Sequence, residues 1–397
     1  MEKKAGNPKT IRENNQKVLA HYLFEHSPTA ISELSRIFKL SLPSIYKNIS
    51  QLIDHNIIKE TGEGDSLGGR RPMLFSFNYD LGYIASVDLK GEYLRLALAN
   101  LGLKIIARED INMRDFKNGN DLINKGIESL KTLMKANSIA QEKLFSIAVG
   151  FPGSINNITG QTYMLPVWLD IWEGVNIKRL INEEFPAVNV IVKNDMNLAA
   201  IGEMRYGVGR GYKNLIYVSL DMGVGAGIII DGCLYEGSRF ASGEIAFFKT
   251  NMGSNTTLED EISIRGITNR IVRDMEKNIE NRLERFLINN KRILNFAEVK
   301  KAVIEKDPYI LGVMKDVSER LGFVLYNISV FLDNELIIIS SKTIDMGYDI
   351  KKDLDEIIKK NTLIEVKTEY ASLNQDEVIY GGFALSLDHI LDKIITY

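Results

Sequence analysis

The sequence predicts an α/β protein of two similar lobes with a small helical unit in front of them. Three observations carry that prediction. Residues 1–80 contain three apolar-periodic helical stretches followed by two β-type segments. Two later stretches, GYIASVDLKGEYLRLALANLGLKIIAREDI (82–111) and NLIYVSLDMGVGAGIIIDGCLYEG (214–237), each read as three strands joined by tight turns, so one α/β half is present twice. At 397 residues the chain is long for one domain, and its 45% hydrophobic and 25% charged content is that of a globular protein.

The N-terminal unit builds up in order. NNQKVLAHYLFEHS (14–27) places Val18, Leu19, Tyr22 and Leu23 on one helix face, and Pro28 and Thr29 end it. AISELSRIFKL (30–40) is a second, short helix burying Ile31, Leu34 and Ile37. In SLPSIYKNISQLIDHNII (41–58), Ser41 is suited to cap a third helix and Pro43 to its first turn. Ile45, Ile49, Leu52 and Ile53 then face inward, leaving Pro43, Ser44, Tyr46 and Lys47 outward. IIKETG and PMLFSFN flank the polar loop EGDSLGGRR. Three helices and a hairpin make a winged helix-turn-helix, whose third helix enters a DNA major groove. Arg70 and Arg71, on a glycine hinge closed by Pro72, suit the negative potential of a narrow A·T-rich minor groove. The plainer alternatives are a helical dimerisation bundle and a solvated linker.

Charge and cysteine usage bound the setting. Net charge is −3, with 11 Lys+Arg and 9 Asp+Glu in residues 1–80 against 38 and 43 in the remainder. No apolar run approaches the roughly 20 residues of a membrane helix. MEKKAGNPKTIRENNQK lacks the apolar core of a secretory leader. The single cysteine, Cys233, excludes an intramolecular disulfide and suits a reducing cytoplasm.

Beyond the first meander come the helical segment LINKGIESLKTLMKANS, the strand LFSIAVG running into GFPGS, the strand VNVIVKND and the helix MNLAAIGEMRYG. After the second meander, residues 258–332 read as helical, ELIIISS as a strand, and the rest as C-terminal helices. Two α/β lobes enclose a cleft, and ligands in such folds sit beyond the carboxyl ends of strands.

The stretches GGRRP, VDLKGEYLRLAL, GFPGSINNITG, LPVWLDIWEGV, KNDMNLAAIGE, LDMGVGAGIIIDGCLYEG, GEIAF and TLEDEIS, in that order, resemble the ROK family of repressors and sugar kinases. The resemblance covers essentially the whole chain, in the repressor layout. It implies a winged helix-turn-helix over 1–80, including the GGRRP wing. A two-lobed actin/hexokinase-like (ribonuclease-H-like) ROK module would follow over 81–397. Its lobes would comprise about 81–195 plus the C-terminal helix, and about 196–380. ROK kinases phosphorylate hexoses with ATP and magnesium, whereas ROK repressors bind a sugar or a partner protein and release DNA.

Each motif can be set against that chemistry. The family's first phosphate turn resembles DxGGT; here Asp88 and Gly91 keep the pattern while Lys90 and Glu92 break it. The second resembles GTGxGxG, but Asp221 and Met222 precede Gly223, and acidic groups beside a triphosphate are unfavourable. The hairpin alone accounts for Gly223, Gly225 and Gly227. The sugar side is better kept. Asp195 matches the family's general base and Asn194 precedes it, although an Asn-Asp pair opening a helix is also an ordinary cap. Glu244 and Glu259 match family carboxylates, and Gly153 would bring backbone close to a ligand. Carboxylates accept from hydroxyls, as a polyol requires. Trp168 and Trp172 suit either a pyranose face or the core. The family's structural zinc should be absent, because Ala246 and Phe247 replace Gly-His and KTNMGSNTTLED holds no cysteine.

The expectation is therefore a cytoplasmic transcriptional repressor that binds a double-stranded DNA operator as a homodimer or tetramer. It would answer to a sugar effector and need neither ATP, magnesium nor zinc. A ROK sugar kinase with an appended DNA-binding domain, and a regulator controlled by a partner protein, stand as alternatives.

Overall fold

The computed structural model describes residues 8–64, 71–89, 91–163, 171–250, 253, 255–277, 287–288, 293–294, 296–360 and 365–395. The winged helix comprises α1 (Pro8–Glu25), β1 (Thr29–Ala30), α2 (Ile31–Phe38), α3 (Leu42–Asp54), β2 (Ile58–Glu63) and β3 (Met73–Phe77). Its three strands form a small sheet of order β1-β3-β2. Leu19, Leu23, Ile31, Leu34, Ile45, Ile49, Leu52, Phe75 and Phe77 make its core, as the helical periodicity requires. Ile37, expected inside, is 38% exposed, and Phe38 packs against the core instead.

On α3, Ser41 occupies the N-cap position without a side-chain cap hydrogen bond, and Pro43 lies in the first turn. The outward face has the expected members. Pro43, Tyr46 and Lys47 are exposed and Ser44 is half-buried, while Ile45 and Ile49 turn inward. In the wing, the Gly64 N–H donates to the Pro72 carbonyl at 2.8 Å and Arg71 is exposed. Arg70 lies outside the described residues.

The first lobe carries β4 (Tyr83–Asp88), β5 (Tyr93–Asn100), β6 (Ile105–Asn112), α4 (Gly119–Ala136), β7 (Leu144–Phe151), α5 (Ile177–Glu184) and β8 (Asn189–Asn194). It is followed by α6 (Asp195–Tyr206). The second lobe adds β9 (Leu215–Leu220), β10 (Val224–Ile230), β11 (Cys233–Leu234), α7 (Leu258–Ile262), α8 (Ile264–Glu276), β12 (Leu287–Ile288), β13 (Ile293–Leu294), α9 (Phe296–Ile304), α10 (Pro308–Leu332), β14 (Leu336–Ile339), α11 (Ser341–Ile344), α12 (Ile350–Lys360) and β15 (Lys367–Tyr370). The closing helix is α13 (Glu377–Ile395).

The two large sheets run β6-β5-β4-β7-β8 and β11-β10-β9-β14-β15. In each, an antiparallel meander is extended by two parallel strands. The duplication visible in the meanders thus extends to whole sheets. A short antiparallel ribbon, β12–β13, interrupts the stretch read as helical, and β15 is a strand where only helices were expected. No helix among the described residues is long and apolar enough to cross a membrane.

Helices α6 and α13 pack against each other between the lobes. Glycines permit the close approach: a Cβ on Gly381 would lie 1.8 Å from the Leu198 carbonyl oxygen, and one on Gly202 2.1 Å from that of Glu377. Glu203, fully buried on α6, accepts the backbone N–H groups of Val208, Ser372 and Leu373 at 2.8–2.9 Å. Helix α13 also serves the winged helix, because Ile379, Phe383, Leu387 and Ile390 share one apolar cluster with Leu19, Leu23 and Phe77. Tyr79 donates to the Phe24 carbonyl at 2.6 Å, and Nε2 of His21 lies 2.9 Å from Oδ1 of Asp392. The winged helix is therefore docked on the first lobe through a continuous core.

Candidate functional site

The N-terminus of α6 organises the cleft. Asn194, the last residue of β8, caps the helix: its Oδ1 accepts from the N–H groups of Met196 (2.9 Å) and Asn197 (3.2 Å). Its Nδ2 donates to the Gly153 carbonyl at 3.3 Å, tying the helix start to the loop after β7. The cap and the binding position predicted for Asn194 are thus one residue, with much of its hydrogen-bonding capacity used internally. Asp195, in the first helical turn, is 5% exposed and accepts from the Met196 N–H at 3.0 Å. A carboxylate there is favoured by the helix dipole.

From Gly153 the site continues across the cleft. Ser154 Oγ lies 3.4 Å from Oε1 of Glu244, which stands in the second lobe. Burial raises the Glu244 carboxyl above its ordinary range; the Ser154 hydrogen bond opposes this, and the nearby Glu259 carboxylate adds to it. Glu259 is itself held at 2.6 Å by Arg265 and at 3.3 Å by the Val224 N–H. The predicted residues Gly153, Asn194, Glu244 and Glu259 are brought together, with Asp195 next to its cap. The Arg265 ion pair fixes the Glu259 carboxylate.

Sequence reasoning missed a set of ties between the lobes. Lys193 Nζ sits 2.7 and 2.8 Å from the two oxygens of Glu236, and Asn157 Nδ2 donates to the same carboxylate. Tyr163 donates to the Arg239 carbonyl. Lys193, Asn157 and Tyr163 belong to the first lobe, and Glu236 and Arg239 to the second. The signal was present in VNVIVKND and LYEGS, but only the folded topology shows that Lys193 and Glu236 meet. Trp172 is 1% exposed and packs edge-on to Phe151 at 5.4 Å, which assigns it to the core. Trp168 lies outside the described residues.

The first phosphate turn is closed by an ion pair. Asp88, at 0% exposure, pairs with Arg95, its cross-strand neighbour on β5, and Arg95 also donates to the Gln375 carbonyl at 2.8 Å. Gly91 has φ +83°, and exposed Glu92 pairs with Arg114. Lys90 lies outside the described residues. In the second turn, Asp221 donates its N–H to the Gly223 carbonyl at 2.9 Å and accepts from Ile264 at 2.9 Å, while Met222 is 53% exposed. The hairpin does not account for Gly225 and Gly227. Both lie within β10, and a Cβ on Gly227 would meet the Met196 carbonyl oxygen at 2.3 Å, so the strand is stripped of side chain where α6 lies on it.

Among the described residues no three His, Cys, Asp or Glu side chains group as a metal site, and Ile245 and Ala246 after Glu244 are buried apolar residues.

A winged helix-turn-helix carried on a duplicated, two-lobed sugar-kinase-type fold is the class of protein these features define. The chain belongs to the ROK family, which matches residues 84–389. The xylose repressor of Caldicellulosiruptor bescii is 24% identical over 397 residues, spanning 97% of this chain and 98% of that protein. Among solved structures, a ROK family transcriptional regulator homologous to the E. coli MLC protein superposes with a TM-score of 0.74 at 20% identity, covering 97% of this chain and 98% of that one. A ROK family glucokinase from Streptomyces griseus, in complex with glucose and AMPPNP, gives 0.63 at 18% identity and covers 77% and 99%.

Proposed function

We propose that the chain is a sequence-specific transcriptional repressor whose hold on a double-stranded DNA operator is controlled by a sugar or sugar derivative bound between the ROK lobes. The observation that carries this reading is the joining of two parts. A winged helix presents Ser41, Pro43, Ser44, Tyr46, Lys47 and Arg71 outward, and it shares a core with the lobe holding Asn194 and Asp195. Relatives of the same full length are named as xylose repressors, which supports a sugar as the controlling ligand. Glu244 on the second lobe and Asp195 at the start of α6 bracket the space for its hydroxyls. A ligand touching both favours the closed lobes, by no more than its differential affinity for that state.

The module works without phosphoryl transfer in this reading. What supports it is the Arg95 guanidinium on Asp88, together with Glu92 and Asp221 where a triphosphate would need neutral or cationic partners. Neither ATP, magnesium nor zinc is required. Two copies would read paired half-sites, as helix-turn-helix dimers do, in the cytoplasm where the DNA lies.

A thermal-shift screen against pentoses, hexoses and their phosphates, run beside an ATP-consumption assay, tests the proposal. A sugar that raises the melting temperature with no ATP turnover is the expected result. Sugar-dependent ATP turnover would return the chain to the kinases.

A further inference from the structure

A cavity of about 420 Å³ lies at the junction of the winged helix, the first lobe and α13. It is far along the sheet from the sugar cleft. Its walls include Phe145 and Asn189, at the N-terminal ends of β7 and β8, whereas the cleft lies where those strands end at Phe151 and Asn194. His55 and Ile57, just after α3, form the winged-helix side. Ile390, Lys393 and Ile394 supply the wall from the last turns of α13. Three parts of the chain thus meet around one space.

The chemistry of the lining is one-sided. None of the nine described residues that line the cavity is acidic, and the floor contains the buried side chains of Ile57 and Ile390. Lys393 is exposed at the rim and has no carboxylate partner among the described residues. A second ammonium stands close by, because Lys143 Nζ donates to the carbonyl of Leu81, another lining residue, at 3.2 Å. The cavity's volume falls in the range of small-molecule sites, which combine an apolar body with a few placed polar groups.

We propose that this cavity is a small-molecule site separate from the sugar cleft. Its ligand class is an organic monocarboxylate with an apolar body, of the size of an arylalkanoate. The carboxylate is held at Lys393 and the body lies on Ile57, Phe145 and Ile394. Because the walls come from three parts, a bound acid stabilises the docked position of the winged helix over any undocked one.

The experiment uses the full chain, with 3-phenylpropionate as probe and 3-phenylpropanol as its uncharged match, read by calorimetry and by thermal shift. The acid should bind at least about tenfold more tightly than the alcohol, as a hydrogen bond to a charged group allows. It should also slow hydrogen exchange of the β2 backbone (Ile58–Glu63). Lys393→Met should bring the acid to the alcohol's affinity and leave the alcohol unchanged. Ala187→Trp, which fills an exposed part of the wall, should remove both. The proposal is overturned if the acid does not bind, if acid and alcohol bind alike to the unmodified chain, or if the acid binds both variants as it does the parent.

Discussion

Replacing Arg95 by methionine isolates the ion pair that fills the first phosphate turn. Asp88 has no exposed surface, and the Arg95 side chain is 22% exposed. Methionine preserves much of the stem's packing while removing the guanidinium. Taking one partner from a buried pair costs roughly 3–5 kcal/mol, because the remaining charge keeps its desolvation penalty without its counter-charge. The second Arg95 bond, to the Gln375 carbonyl just before α13, disappears as well. The expected fall in stability is therefore in the upper part of that range. In a thermal melt it amounts to about 5–15 °C. The double variant Asp88→Asn/Arg95→Met has no buried charge to strand and should recover at least half of the loss. Urea denaturation of the parent, both single variants and the double variant measures the coupling. A loss below about 1 kcal/mol for Arg95→Met, or a double variant no more stable than Arg95→Met, would refute the claim that Arg95 neutralises a buried carboxylate.

Other outcomes follow from the same structure. Tyr46→Ala with Lys47→Ala should weaken operator binding, and Arg71→Ala should flatten the slope of log affinity against log salt by about 0.9 for each phosphate it no longer neutralises, measured by fluorescence anisotropy across a salt series. Glu244→Gln should be the more stable protein at neutral pH. The folded state holds the Glu244 proton to higher pH than the unfolded chain, so this contribution is present below the ordinary carboxyl range and lost as pH rises through the raised value; melting curves from about pH 4 to 7.5 should converge at the acid end. Gly202→Ala should destabilise the α6–α13 crossing by about 1–3 kcal/mol or more, since the added methyl would meet the Glu377 carbonyl oxygen at 2.1 Å; an unchanged urea midpoint would contradict this.

Much of the architecture was legible because local chemistry and global fold agree. The buried set Ile45, Ile49 and Leu52 on α3, and the turns at Gly91 and at Asp231–Gly232, could be read from periodicity and glycine placement. β15 was not legible. Its four residues, Lys367–Tyr370, alternate buried and exposed at a sheet edge, too short a pattern to separate from a loop. The β12–β13 ribbon lies in a charge-rich stretch whose composition favours helix. At the site, Asn194 and Asp195 could be named from their place where a strand runs into a helix, and Glu244 and Glu259 from the resemblance to the ROK family, whereas their partners could not. Arg265 on Glu259, Arg95 on Asp88 and Lys193 on Glu236 depend on which strands and helices become neighbours. Gly227 shows the same limit: the turn beside it was visible, but the helix lying on it was not.

The most direct measurement is the affinity of the protein for an operator it has itself selected from random duplexes, with and without the sugar that gives the largest thermal shift, in the parent chain and in Asp195→Ala. The predicted result is a sugar-induced loss of DNA affinity of about tenfold or more in the parent, within the usual span of coupling between two sites. Asp195→Ala should bind DNA as the parent does without sugar, and should not respond when sugar is added. DNA affinity indifferent to every sugar that binds, or an Asp195→Ala variant that responds like the parent, would contradict control from this cleft.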